Sequence, residues 1–394
     1  MSKSCLIIGG GIAGLTSALA LQKTGITPTI HELRASPSTI GGSINLTPNA
    51  LRLLEFLDVE IQGCRVDSIE IFSLHSGKLI GEVPFRKFGP SVRILREELL
   101  KALLRAVERS GIEVNYGEKL VGVVEDDGEE KVTAVFENGK RVKGDFMLGC
   151  DGVHSAVRKY VEASRGPEYT GVVVAYSIVE APGIKTHFRS TALNSGRCGS
   201  LLTSYFDEDR ARIYVGAVME IKEENDKQGW RVRGSDTQKT RDEIERRYKN
   251  SAIPCVDELV QKVEDFVFYP VYKLSPGGVW SKGRVLLLGD AAHAMPPQGE
   301  STGLAIEDGV LLARVMASAS EKPIQEAFRV YEKTRRSRID IAYKEAVMRW
   351  ENVKDRSWFS QKVIEWLMWI VLWYRRNPFE LSMSYDIRQE EILE

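Results

Sequence analysis

The stretch Ser4-Cys-Leu-Ile-Ile-Gly-Gly-Gly-Ile-Ala-Gly-Leu15 limits the chain to few folds. Cys5 to Ile8 form an apolar run that reads as a buried strand, ending in Gly9, Gly11 and Gly14. A helical pattern over 12–23 follows at once. Strand, glycine turn and helix in that order are the context a G-x-G-x-x-G fingerprint requires. Gly9 suits the tight turn, Gly11 lets backbone approach a pyrophosphate, and Gly14 lets helix and strand pack closely. The helix N-terminus offers unpaired N–H groups and a positive dipole end to phosphate. A second strand, 27–31, ends in Glu32, eighteen residues beyond Gly14. A carboxylate there can accept from a ribose 2′-hydroxyl and would repel a 2′-phosphate. A ligand-free glycine turn would not need strand, helix and acid together. The chain is predicted to be built on a dinucleotide site.

At 394 residues the chain suggests two domains, or one with a large insertion. The formal net charge is −1 with both signs interspersed, which leaves no electrostatic footprint for nucleic acid. The five cysteines are scattered and without C-x-x-C spacing, so neither a disulfide framework nor a zinc site is expected. A reducing, cytoplasmic setting fits that usage. The fold is entered by residue 4, so no signal peptide is expected, and the Asn45-Leu-Thr47 sequon is expected to be idle.

Arg34 follows the second strand, and Gly41-Gly42-Ser43 mark a loop. Pro48 opens a helix with Ala50, Leu53, Leu54 and Leu57 on one face. Alternating stretches at 68–74 and 79–84 read as paired strands of a small inserted sheet over 68–95. The next helix, about 95–110, carries Arg96 in its first turn. A cation beside the positive dipole end is unfavourable, so Arg96 is either a surface ion-pair partner or a phosphate ligand. Asn138-Gly139 joins a hairpin. A buried strand at 146–150 runs into Asp151-Gly152. From 169 to 271 alternating strands (172–179, 212–219) and a polar helix near 240–249 suggest a separate sheet-based domain. The charged run 220–226 reads as a solvated loop. Another buried strand, 284–289, leads to Asp290-Ala-Ala-His293 and a helix from Ser301 through Met316, with Ser301 as its N-cap.

Three motifs read together carry a resemblance. Gly9 to Gly14 with Glu32, then Asp151-Gly152 with Ser155 and Arg158, then Gly289-Asp290-Ala-Ala-His293 with Pro296, resemble the flavoprotein monooxygenases of the para-hydroxybenzoate hydroxylase fold over about residues 4–345. That resemblance implies an α/β fold: a Rossmann-type FAD-binding domain (1–168 and 273–345), an interleaved β-sheet substrate domain (169–272) and a helical C-terminal segment (346–394). It implies non-covalent FAD, with Glu32 at the adenosine ribose, Arg96 on the pyrophosphate side and Asp290 at the ribityl chain. The helix after Gly299, through Gly303, would point its N–H groups at the flavin pyrimidine edge. Asp151 is associated with FAD and with passing NAD(P)H, and Arg34 and Ser43 join the cofactor-binding set. His293 more often packs behind the Asp290 turn than acts as a base.

The implied activity is NAD(P)H- and O2-dependent hydroxylation or epoxidation of an electron-rich aromatic or alkene small molecule through a flavin C4a-hydroperoxide, in a setting such as secondary metabolism. NAD(P)H would act as a transient reductant, because no second G-x-G-x-x-G is present. Two departures qualify the pattern. Gly299-Glu-Ser-Thr-Gly303 replaces a Gly-Gln-Gly run, and Ser177 follows Tyr176 where relatives carry an arginine. The second leaves a flavin oxidase, dehydrogenase or cyclase as the alternative and leaves catalytic residues unassigned. Tyr205 and Tyr214 are both available hydroxyls. Glu300 is expected to turn from the flavin toward solvent or a basic partner. The apolar tail 363–374 is too short to span a bilayer of about 30 Å; it reads as a helix packed on the body or a peripheral membrane contact.

Overall fold

The computed structural model describes residues 2–39, 41–125, 130–224, 227–297, 299–351, 354–375 and 380–393; Ile40, Gln298, Arg376 and the end of the 220–226 run lie outside the described residues. The apolar run at the N-terminus becomes strand Ser4–Ile8 in the middle of a six-stranded sheet. Its neighbours are Thr27–Glu32, followed by Glu113–Tyr116, on one side, and Phe146–Gly149, then Val285–Leu287 and Ser281–Lys282, on the other. All pairings but the last are parallel, and both faces are covered, one by helices such as Ile12–Gln22 and the other by the three-stranded ladder of Leu120–Glu125, Val132–Phe136 and Arg141–Gly144, which explains why these strands read as continuous apolar runs. Helix Ile12–Gln22 buries Leu15, Ala18, Leu19 and Leu21 and packs against helix Ser301–Ser318. Gly309 permits that crossing, since a Cβ there would lie 2.8 Å from the Ser17 backbone.

The second sheet has seven strands, in the order Val267–Lys273, Glu168–Glu180, Arg212–Glu220, Gly199–Tyr205, Thr191–Gly196, Ser68–Ser73 and Leu79–Pro84. The two strands at 68–84 thus form the edge of this large sheet, through a parallel pairing with Thr191–Gly196, and make no sheet of their own. Period-two alternation marks a strand but not its partner, and here the partner lies more than a hundred residues on. Val92–Leu95 pairs elsewhere, with Ser43–Leu46 and Cys64–Arg65 in a three-stranded ladder.

One face of the seven-stranded sheet (Val173, Ala175, Leu201, Val215, Ala217) is covered by helices through Trp230, Ile244, Tyr248, Val256 and Leu259. The opposite face carries Val174, Tyr176, Ser204, Tyr214 and Gly216 by the same alternation. Long helix Ile324–Glu351 packs on helix Ser301–Ser318 and reaches the seven-stranded sheet through Trp350, and tail helix Trp358–Arg375 lies on strand Leu79–Pro84 through Met368 and Leu372.

Candidate active site

Ile8 and Gly149 are partners in the parallel ladder, so the glycine turn and the Asp151 loop leave the same carboxyl edge of the sheet. Ligands of open α/β sheets bind at that edge. Gly9 is required there twice over. Its φ is +109°, and a Cβ would lie 2.4 Å from the Cys150 carbonyl oxygen. Gly11 is the N-cap of helix Ile12–Gln22, no side chain caps that end, and its first turn, where Gly14 is buried, holds no acidic residue. The first-turn N–H groups therefore remain for an anion, and the pyrophosphate of an adenine dinucleotide fits them. Glu32 is fixed beside this turn. Its carboxylate accepts from Gly10 N at 2.7 Å and from Arg34 N at 2.9 Å. Lone pairs remain for ribose hydroxyls. The Arg34 side chain runs along the exposed loop to the Ser38 carbonyl.

Asp151 has a local role that sequence did not suggest. It accepts from Ser155 Oγ at 2.5 Å and from the backbone N–H groups of Ala156 and Val157, capping helix Ala156–Val161. Burial pushes its carboxyl above the usual range despite those donors. Asp151 therefore shapes the loop first. Buried Arg158 ties this loop to the third motif, donating to the carbonyls of Val153, Arg165 and Ala291.

In the third motif Asp290 is exposed and has no hydrogen-bond partner among the described residues. His293 is buried against Asp308, Nε2 to Oδ2 at 2.7 Å. Asp308 also accepts from Gly289 N and from Arg335 Nε, while Arg335 bridges to Glu307, which accepts from Asn49 Nδ2. Helix Ser301–Ser318 starts one residue earlier than expected: Glu300 is its N-cap and Ser301 its first helical residue. No side chain caps this end either, so its N–H groups stay available. Glu300 does not reach solvent. It is 4% exposed and accepts from Ser382 Oγ at 2.8 Å, on the C-terminal segment. Ser382 in turn receives Arg338. Gly299 (φ +91°) precedes the helix, and Gly303 sits in its first turn beside Ala50.

Arg96 opens helix Arg96–Arg109, where its Nε donates to Thr39 Oγ1 at 3.1 Å and its side chain passes Gly41. Buried Ser43 opens the strand that follows this loop, and its Oγ has no hydrogen-bond partner among the described residues. The tyrosine face of the large sheet closes over the loop. Tyr176 donates to the Gly41 carbonyl, and a Cβ on Gly42 would lie 2.2 Å from the Tyr214 ring. Tyr214 and Tyr205 thus separate: Tyr214 faces the Gly41–Gly42 loop, whereas Tyr205 packs against Phe188 on the helix-covered side. Among the described residues no group of side chains could hold a metal ion.

A family model for the FAD binding domain matches residues 2–346. The chain belongs to the para-hydroxybenzoate hydroxylase-like family of FAD-dependent monooxygenases. It is therefore an oxidoreductase, and its cofactor is FAD. The flavoprotein is 25% identical to a 6-hydroxynicotinate 3-monooxygenase of Bordetella bronchiseptica, over 84% of this chain and 87% of the relative. It is 26% identical to a 2-heptyl-3-hydroxy-4(1H)-quinolone synthase of Pseudomonas aeruginosa, over 98% and 95%. A dual trans-enoyl reductase/FAD-dependent monooxygenase of Aspergillus terreus, tazHJ, is 30% identical over 79% of this chain, which spans 47% of that longer protein. Among solved structures, Klebsiella pneumoniae HpxO complexed with FAD and uric acid shares the fold at a TM-score of 0.79, with 22% identity and with 97% of this chain and 95% of that one covered.

Sequence reasoning missed Arg93 and the Glu307–Asp308–Arg335 cluster. Arg93 sits three residues before Arg96 in a four-residue strand, too short for its buried side to be read from alternation. Glu307 and Asp308 look like the solvated face of a helix until Arg335, on another helix, is placed against them.

Proposed function

We propose that the chain is an NAD(P)H- and dioxygen-dependent monooxygenase that hydroxylates or epoxidises an electron-rich aromatic ring or alkene. One oxygen atom enters the substrate and the other leaves as water, with NAD(P)H supplying the two electrons. FAD, when bound, carries those electrons to dioxygen. What carries the proposal is the apposition of the Tyr176–Tyr214 face to the Gly41–Gly42 loop, which sets the sheet we assign to substrate directly against the loop we assign to cofactor. We assign residues 1–168 and 273–345 to the FAD-binding part and 169–272, joined by the edge strands of 68–84, to the substrate part. Gly9, Gly11, Gly14, Glu32 and Arg34 would hold the adenosine and pyrophosphate, with Arg96 and Ser43 beside them. Asp290, Gly299 and Gly303 would take the ribityl and flavin end, and Asp151 would hold its loop in shape. Oxygen uptake tests the reaction: NADPH should drive at least slow consumption without substrate. An oxidase or dehydrogenase would consume no NADPH, and a cyclase neither NADPH nor oxygen.

We also propose that the tail helix rests on a lipid surface. Its inward side is anchored by polar contacts, Glu365 to Ser73 and Gln361 to Ser195, with Met368 and Leu372. Its outward arc carries Phe359, Trp366, Trp373 and Tyr374, the last two 71% and 79% exposed. Trp and Tyr suit the headgroup boundary, and Lys362 on the same arc suits anionic lipid. No described helix is long and apolar enough to cross a membrane.

A further inference from the structure

Helix Ser301–Ser318 begins with a carboxylate that does not cap it. Glu300 is the N-cap residue, yet no side chain bonds the free N–H groups of that end. An N-cap side chain ordinarily turns back onto the first turn, and the helix dipole draws a negative charge there. Glu300 is instead buried and turned onto Ser382, whose Oγ donates to Oε2 at 2.8 Å. Its other oxygen, Oε1, is buried with no hydrogen-bond partner among the described residues. A carboxylate so incompletely satisfied is costly to bury, and burial raises its pKa even though Arg338 and Arg349 lie near. Left to itself, the side chain would do better at the helix end. Something holds it away.

The holder is the C-terminal segment 380–393. Only helix Glu380–Ser384 and a short 3-10 turn, Ile387–Gln389, are regular in it, so most of its carbonyls must find donors elsewhere. Arginines of the FAD-binding part supply them. Arg52, on helix Pro48–Phe56, donates to the carbonyls of Met383 and Tyr385 at 2.9 and 3.1 Å. Arg314, on helix Ser301–Ser318, donates to those of Ile387 and Glu390. Arg338, on helix Ile324–Glu351, donates to Ser382 Oγ at 2.7 Å and lies over the Tyr385 ring. Met383 and Ile387 are buried as the apolar anchors of the segment. Ser382 thus accepts from a cation and passes its one proton to Glu300. We infer that segment 380–393 is a clasp and Ser382 its positioning residue, which keeps the Glu300 carboxylate off the N-terminus of helix Ser301–Ser318 and leaves those N–H groups to the flavin. With the clasp open, the carboxylate would swing onto that end and oppose the negative charge that the flavin takes up on reduction. This rests on the assignment of the helix end to the flavin and adds to it a control exerted from the end of the chain.

The test uses the full chain loaded with FAD and reads the midpoint potential of the bound flavin by equilibration with a reference dye. Ser382→Ala should lower that potential by about 30 mV or more, which is roughly tenfold in the balance of reduced over oxidised flavin for a two-electron couple. Adding Glu300→Gln to Ser382→Ala should bring the potential back to the parent value, because the freed side chain then carries no charge. Loosened packing around Ser382 would not be reversed in that way. A potential that Ser382→Ala leaves unmoved overturns the inference, and so does a drop that persists in the double variant. Should Ser382→Ala fail to fold, Ser382→Cys keeps the size and only weakens the donor, and the same two comparisons decide with it. Ser301→Asp tests the flavin assignment separately, by setting a carboxylate at the helix end. If Ser301→Asp lowers the potential and Ser382→Ala does not, the clasp alone is refuted. If Ser301→Asp also leaves it unmoved, the flavin lies elsewhere and the inference falls with that assignment.

Discussion

His293 Nε2 lies 2.7 Å from Asp308 Oδ2, and the same oxygen accepts the Gly289 backbone N–H at 2.8 Å. Burial alone would raise Asp308, but His293 and Arg335 outweigh it and hold its carboxyl at about 2. With the carboxylate ionised, Nε2 must carry the proton, so His293 donates. The pair locks the turn that presents Asp290 and ties it to helix Ser301–Ser318, whose N-terminus we propose meets the flavin. His293 is a positioning residue here.

Asp308→Asn should therefore destabilise the fold by about 3 kcal/mol, because buried Arg335 loses part of its compensation. Urea unfolding measures this. The folded pKa lies below the ordinary 3.8, so the contribution is present above about pH 4 and is lost as pH falls toward 2. His293→Gln should cost about 1 kcal/mol and leave flavin reduction by NADPH within a few-fold. Loss of reduction with FAD still bound would assign His293 to the chemistry instead.

Glu32→Arg should weaken FAD binding by about 2 kcal/mol or more. Two effects add: the ribose loses its acceptor, and the N–H groups of Gly10 and Arg34 lose theirs. Fluorescence titration of apoprotein with FAD reads the change. Unaltered affinity would show that Glu32 serves the loop alone.

The local features were legible because they are written in consecutive residues. Strand, glycine turn and helix at 4–22, the Glu32 strand end and the Pro48 helix all follow from short-range pattern. What pairs across the chain was not. The partner of strand Ser68–Ser73, the His293–Asp308 bond and the burial of Arg93 against Ser204 are tertiary facts. Asp151 lies between these cases: a carboxylate five residues before an N–H it caps can be suspected, but the glycine beside it drew attention to the cofactor instead. Tyr205 and Tyr214 could have been separated only by knowing that Tyr205 pairs with Ile213, which sends the two hydroxyls to opposite faces.

FAD should be released into solution when the protein is precipitated with acid, giving a colourless pellet. In the stretch 289–303 assigned to the flavin end, the one histidine or cysteine is His293, which is buried and bonded to Asp308. Yellow colour retained in the pellet would require a covalent link and a different attachment site.

The tail helix should carry the protein to anionic liposomes in a flotation assay, and Trp366→Ser with Trp373→Ser should abolish flotation without lowering stability. Both rings are largely outside the body, so their removal takes no packing from the core. A parent protein that stays at the bottom of the gradient at low salt would dismiss the lipid contact.

Glu300 gives the last prediction. Burial raises its carboxyl, the Ser382 bond and the fields of Arg338 and Arg349 only partly oppose it, and one of its oxygens has no partner. A folded pKa above the ordinary value means that the charged form is the costlier one in the fold. Stability should thus fall as pH rises through and above the ordinary carboxylate range, and the cost should persist at neutral pH. Glu300→Gln removes that charge, keeps an acceptor for Ser382 Oγ and places an amide where the unpaired oxygen stood. The variant should unfold at an equal or slightly higher temperature at neutral pH, with the difference vanishing in acid. Because the side chain is spent on Ser382 rather than on the N-terminus of helix Ser301–Ser318, anaerobic flavin reduction by NADPH should stay within a few-fold of the parent. A variant that is less stable at neutral pH, or whose reduction rate moves by orders of magnitude, would show that the Glu300 charge acts on the cofactor end of the helix after all.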